Sequence, residues 1–123
     1  MTRISPYASY GVGELRILLT NEPRSYREAI TGAFRALKPN IQVFVAGPEA
    51  LDTEVKRLSP QLVVCSRATP TVEVGTLVWV ELYPGHGSIS TISIRGKRST
   101  VVGIDLADLL STIGWAEDLA KAS

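Results

Sequence analysis

The sequence predicts an α/β domain, a three-layer sandwich in which the first three strands run parallel and an antiparallel hairpin or meander replaces the third crossover helix. Three observations predict it. Apolar runs recur at Leu15–Thr20, Ile41–Ala46 and Leu62–Cys65, each short enough for a strand and continuous enough to be covered on both faces. The two segments between them carry helical periodicity, and strand, helix, strand, helix, strand calls for right-handed crossovers. Beyond the third run the alternation breaks. Only Arg67 to Gly75 separate Ser66 from the next strand-like run, and a parallel crossover takes a dozen or more residues.

The elements follow in order. Met1 to Gly13, with Pro6, Tyr7, Tyr10, Gly11 and Gly13, is an irregular arm, either frayed or laid across the domain by its tyrosines. The first strand, Leu15–Thr20, leads into the turn-forming Asn21-Glu22-Pro23. Ser25 and Glu28 have capping-box spacing, and the helix they open places Tyr26, Ala29, Ile30, Ala33, Phe34 and Leu37 on one face. Arg24, Arg27, Glu28 and Arg35 lie mostly elsewhere, and Lys38-Pro39-Asn40 ends the helix.

Ile41–Ala46 is the second strand, closed by Gly47-Pro48. Proline suits a helix's first turn, so a shorter helix starts near Pro48 and buries Leu51, Val55 and Leu58. Ser59-Pro60 stops it, and Leu62–Cys65 is the third strand. Thr76–Leu82 opens a meander that turns at Tyr83–Gly87, returns around Ser90–Ile94 and turns again at Arg95–Arg98, with Thr100–Val102 as a short last strand. Asp105 is placed to cap a final helix burying Leu106, Leu109, Leu110, Ile113 and Leu119.

The chain of 123 residues suits one domain with one core. Hydrophobic residues at 45% and charged residues at 20% are the balance of a chain that folds. Thirteen basic against twelve acidic residues leave a net charge of +1, which supplies no field to draw in nucleic acid or an anionic membrane. The lone Cys65 has no partner for an internal disulfide and sits in an apolar run, which suits a reducing cytoplasm. No run reaches the roughly 20 apolar residues of a spanning helix, and the leader lacks a signal peptide's apolar core. Cytoplasmic location is the expectation. Gly11-Val12-Gly13 precedes the first strand instead of following it, and no Walker-type Gly-Lys-Ser/Thr occurs, which disfavours nucleotide enzymes.

Leu18-Leu19-Thr20-Asn21-Glu22-Pro23 and Pro60 to Ser66 together resemble the receiver domain of two-component response regulators, a flavodoxin-like fold. The first segment is similar to that family's first strand and acidic turn, the second to the strand that ends on its phosphate-accepting aspartate, and Pro70 matches a proline often found shortly after. The resemblance covers about Leu15 to Pro70. It implies that the magnesium-binding acidic pair falls on Thr20 and Asn21, or on Asn21 and Glu22 if the turn shifts by one, and that the acceptor falls on Ser66. Magnesium wants several oxygen ligands, preferably charged, and of these positions only Glu22 offers a carboxylate. A serine cannot form the family's acyl phosphate, and no convincing match exists for the family's lysine. The resemblance therefore implies a scaffold without its phosphorylation chemistry: a non-phosphorylatable, regulatory, protein-interaction module with no metal, no cofactor and no enzymatic activity.

Open α/β sheets bind ligands at the carboxyl ends of their strands. Thr20, Asn21, Glu22, Ser66 and Arg67 should converge there, offering hydroxyls, an amide and charges to a small anion or polar ligand. The competing reading is that they satisfy loop backbone. His86 lies between glycines with no nucleophile beside it, as a solvated loop residue would. Arg95, Lys97 and Arg98 form a basic knuckle, either a phosphate contact or the charge that keeps a sheet edge from pairing. Trp79, Tyr83 and Trp115 are candidate interface anchors, for a protein partner or a second copy. Equally, they fill the space a missing third helix would cover.

Overall fold

The computed structural model describes residues 15–122, so the N-terminal arm expected over residues 1–13 lies outside the described residues. The strands are β1 (Arg16–Leu19), β2 (Gln42–Val45), β3 (Leu62–Cys65), β4 (Val78–Glu81), β5 (Ile89–Ile94) and β6 (Lys97–Val102). The helices are α1 (Arg24–Leu37), α2 (Leu51–Leu58), α3 (Pro70–Gly75) and α4 (Leu106–Ala122). One sheet holds all six strands in the order β2-β1-β3-β4-β5-β6. β1 pairs parallel with β2 and β3, β3 pairs parallel with β4, and β5 and β6 complete the sheet antiparallel.

Strand alternation divides the core. Ile17, Leu19, Leu62, Val64, Val78 and Val80 pack with Ile30 and Phe34 of α1 and Leu109, Ile113 and Ala116 of α4. The intervening Leu18, Val63, Cys65 and Trp79 pack with Leu51, Val55 and Leu58 of α2 and Val72 of α3. All four residues of β3 are buried, as a parallel strand covered on both faces requires. Each such aliphatic side chain contributes about 1.5–3 kcal/mol by leaving water.

The connection after β3 corrects the sequence expectation. A crossover helix is present, and β4 runs parallel to β3; only β4–β5–β6 form a meander. The crossover succeeds because the connection extends from Ser66 to Leu77, reaching the dozen or so residues such a link needs, and because its helix is cut to six residues. Pro70 fixes the start of that turn, and the Thr69 hydroxyl accepts a hydrogen bond from the Val72 amide, the cap that a short helix requires.

Other departures are local. α1 begins at Arg24 with Pro23 as its cap residue and no side-chain cap, so Ser25 and Glu28 form no capping box; Glu28 instead pairs with Arg24 at 2.8 Å. The buried face of α1 is Arg27, Ile30, Thr31 and Phe34, whereas Leu37 is 57% exposed. At α4 the cap is reciprocal: the Asp108 amide donates to Asp105 Oδ1 and the Asp105 amide to Asp108 Oδ2, both at 3.0 Å. This fulfils the capping role expected of Asp105. Leu106, expected in the core, is exposed, while Leu109 and Ile113 are buried. β6 begins at Lys97, earlier than expected, because Arg95 and Gly96 alone make the turn, both at positive φ.

Candidate functional site

β1 and β3 are parallel neighbours, so their carboxyl ends deliver Thr20 and Ser66 to the same edge of the sheet. The Thr20 amide continues the ladder by donating to the Val64 carbonyl at 2.9 Å. One step further the ladder is taken over by a side chain: Ser66 Oγ accepts from the Glu22 amide at 2.7 Å. Ser66, at the end of β3, is thus engaged with the turn after β1. The chain then enters α1 through a cis Glu22–Pro23 peptide.

Behind this turn lies a buried guanidinium. Arg27 is 8% exposed, and its Nη1 donates to Glu22 Oε2 at 3.0 Å and to the Asn21 carbonyl at 3.4 Å. Glu22 is half exposed, so the ion pair joins a buried cation to an anion that water reaches. α1 has no acidic residue in its first turn. Its N-terminal partial positive charge adds to Arg24 and Arg27, and Glu28 and Glu22, which pair with those two arginines, supply the opposing charge.

Four polar atoms in this turn are buried without hydrogen-bond partners: Thr20 Oγ1, Asn21 Nδ2, Asn21 Oδ1 and Arg27 Nε. A fifth, Thr76 Oγ1, lies before β4, at the opposite end of the sheet. An unsatisfied buried donor or acceptor costs about 1–3 kcal/mol, and four of these five atoms fall between Thr20 and Arg27. Alternation along β1 and β3 sets Asn21 and Ser66 on the α1 side, with Leu19 and Val64.

The structure places Thr20, Asn21, Glu22 and Ser66 at one end of the sheet and joins Glu22 to Ser66, while alternation sets Thr20 with Leu18 on the α2–α3 face. Arg67 is exposed on the following loop and forms no ion pair or hydrogen bond with them. Two participants escaped the sequence reading. Arg27 stands seven residues before Phe34 and four before Thr31, on the buried stripe of α1; the heptad spacing to Phe34 was the available signal. Glu81 ends β4, and its Oε2 accepts from the Ala68 amide at 2.8 Å, which places a second carboxylate at the loop after β3. The Cys65 thiol, facing the α2–α3 side, is pushed up to about 12 by burial first and by the Glu81 charge second. Among the described residues no group of three or more His, Cys, Asp and Glu side chains is arranged to hold a metal ion.

The candidate interface aromatics separate. Trp79 is 3% exposed and lies under Arg98, whose guanidinium carbon is 5.2 Å from the ring centre. Arg98 is held from the other side by Glu73 of α3 at 3.1 Å. Trp79 therefore fills the core beside the short α3 and offers no surface. Tyr83 is half-buried and its hydroxyl donates to the Ile104 carbonyl, while burial, followed by Tyr83 and Asp105, pushes up the neighbouring Tyr26 hydroxyl. Trp115 alone is exposed, at 41%. No helix among the described residues is long and apolar enough to cross a membrane.

No protein family model, curated protein or solved structure matches this chain.

Proposed function

We propose that this chain is a receiver-like, flavodoxin-like α/β domain that takes no aspartyl phosphate and acts in the cytoplasm as a regulatory module through protein contacts. The observation that supports this reading is the 2.7 Å hydrogen bond from the Glu22 amide to Ser66 Oγ. It joins the turn after β1 to the end of β3, the two places where the resembling family keeps its metal ligands and its phosphate acceptor. The parallel order β2-β1-β3-β4 is also that of the doubly wound flavodoxin-like arrangement. The acceptor position holds a hydroxyl, and the carboxylate of the adjoining turn, Glu22, is turned to Arg27. Such a site transmits no phosphorylation signal, so regulation falls to contacts, with Trp115 the exposed aromatic available to a protein partner or a second copy. Incubation with acetyl phosphate and magnesium followed by intact mass tests the reading. Unchanged mass is expected; an acid-labile carboxyl adduct overturns it.

A second reading is favoured by the unpartnered side-chain atoms of Asn21 and Arg27 at the start of α1: a module that binds a small anion at the strand ends. Thermal shifts against a panel of anions and nucleotides separate it, since a ligand that binds only the native state raises the melting temperature.

A further inference from the structure

We infer that the turn between β1 and α1 is a phosphate-group site, in which Arg27, Asn21 and the N-terminus of α1 hold the ligand and Glu22 competes with it for the Arg27 guanidinium. The inference deepens the anion-binding reading and rests on it.

The chemistry of the unpartnered atoms selects the ligand. Arg27 Nε and Asn21 Nδ2 are donors and call for acceptor oxygens, and the charge of Arg27 favours an anionic one. Asn21 Oδ1 is an acceptor only and calls for a donor. A fully ionised sulfate supplies oxygens and no donor. A singly protonated phosphate group supplies both, so it satisfies an amide that sulfate leaves half unmet. Asn21 is fully buried and Arg27 nearly so, which makes the penalty for a wrong partner large.

The electrostatics agree. α1 is 14 residues long, its cap residue Pro23 contributes no side-chain hydrogen bond, and its first turn has no acid. An anion there gains from the helix dipole and from the leading amides. Arg27 folds back toward this end, as its bonds to the Asn21 carbonyl and to Glu22 record. The Ser66 hydroxyl, which accepts from the Glu22 amide, keeps its own proton to donate. The Glu22 carboxylate lies on Arg27 Nη1 and is half exposed; displaced by a ligand, it passes into water.

The test uses the full chain at about pH 6.5, where a phosphate group carries a proton in part. Inorganic phosphate, glycerol phosphate and sulfate are titrated at matched ionic strength, with melting temperature and backbone amide shifts as readouts. Saturable stabilisation by either phosphate and not by sulfate is expected, with shifts at Asn21, Glu22, Ser66 and Arg27; the tighter of the two phosphates tells whether a free or an esterified group is preferred. Glu22→Gln removes the competing anion and should tighten binding roughly three- to tenfold, whereas Arg27→Met should abolish it. If Arg27→Met does not fold, Glu22→Gln decides. Equal effects of phosphate and sulfate, or weaker binding by Glu22→Gln, overturn the inference. Saturable stabilisation by a carboxylate alone also overturns it while leaving the anion-binding reading intact; no response to any anion sinks both.

Discussion

Arg98 in β6 lies across two strands to cover Trp79 in β4. The register pairs Trp79 with Ser93 and Ser93 with Arg98, so all three share one face. The small, buried Ser93 leaves room for the arginine stem to reach the indole. α3, only six residues long, reaches Trp79 through Val72, and Arg98, tethered to Glu73 of that helix, extends the cover. The basic knuckle read from the sequence thus has one member committed to covering the core.

Replacing Arg98 with alanine should therefore wet Trp79. A cation over an aromatic face and a half-exposed ion pair together contribute about 1 kcal/mol. In a Trp115→Phe background, which leaves Trp79 as the sole tryptophan, Arg98→Ala should shift emission to the red and lower urea stability by that amount. Unchanged emission would mean that the indole is sealed by other groups.

Burial keeps Cys65 protonated, and the consequence for stability has a definite sign. The thiol is raised from its ordinary 9.0 to about 12 in the folded chain, so only the unfolded chain ionises between those values. Its contribution is intact below about pH 9 and is lost as pH rises toward 12. Cys65→Ala should flatten the alkaline loss of stability relative to the parent, measured by denaturant titration across that window. At pH 8 the native thiol should resist iodoacetamide and react only on unfolding.

Arg95 occupies a position that suits asparagine or glycine. The β5–β6 turn pairs Ile94 with Lys97 across Arg95 and Gly96, with φ of 51° and 86°, as a two-residue hairpin turn demands. Gly96 adopts this freely; arginine is strained there by about 1 kcal/mol. Arg95→Asn should raise the midpoint of urea unfolding without changing the slope. A lower midpoint would show that the arginine side chain contributes more than its backbone costs.

Much of this fold was legible because burial writes itself into sequence. Leu62–Cys65 is an unbroken apolar run and is fully buried; Leu51, Val55 and Leu58 keep helical spacing and face the core. The meeting of Ser66 with the turn after β1 followed from the rule that parallel strands place their carboxyl ends together. The direction of β4 was not legible, since an apolar run carries the same pattern whether its neighbour is parallel or antiparallel. Arg27 reads as lying off the apolar face because charge outweighs periodicity in any reading of a helical face, and only the fold shows a turn able to receive a guanidinium. The covering of Trp79 depends on registers two strands apart, which no local window contains.

β4 is the strand at which the sheet changes character. On its β3 side every neighbour is reached by a helical excursion, as when Ile17 meets Leu62; on its β5 side neighbours follow through short turns, as Ile94 meets Lys97. Loop-closure entropy must be met before distant pairings are rewarded, whereas near ones form at little cost. The chain therefore holds its slow and its fast assembly steps on opposite sides of a single strand. Trp79, paired with Val63 on one side and Ser93 on the other, is a natural fluorophore placed where the two kinetic halves join.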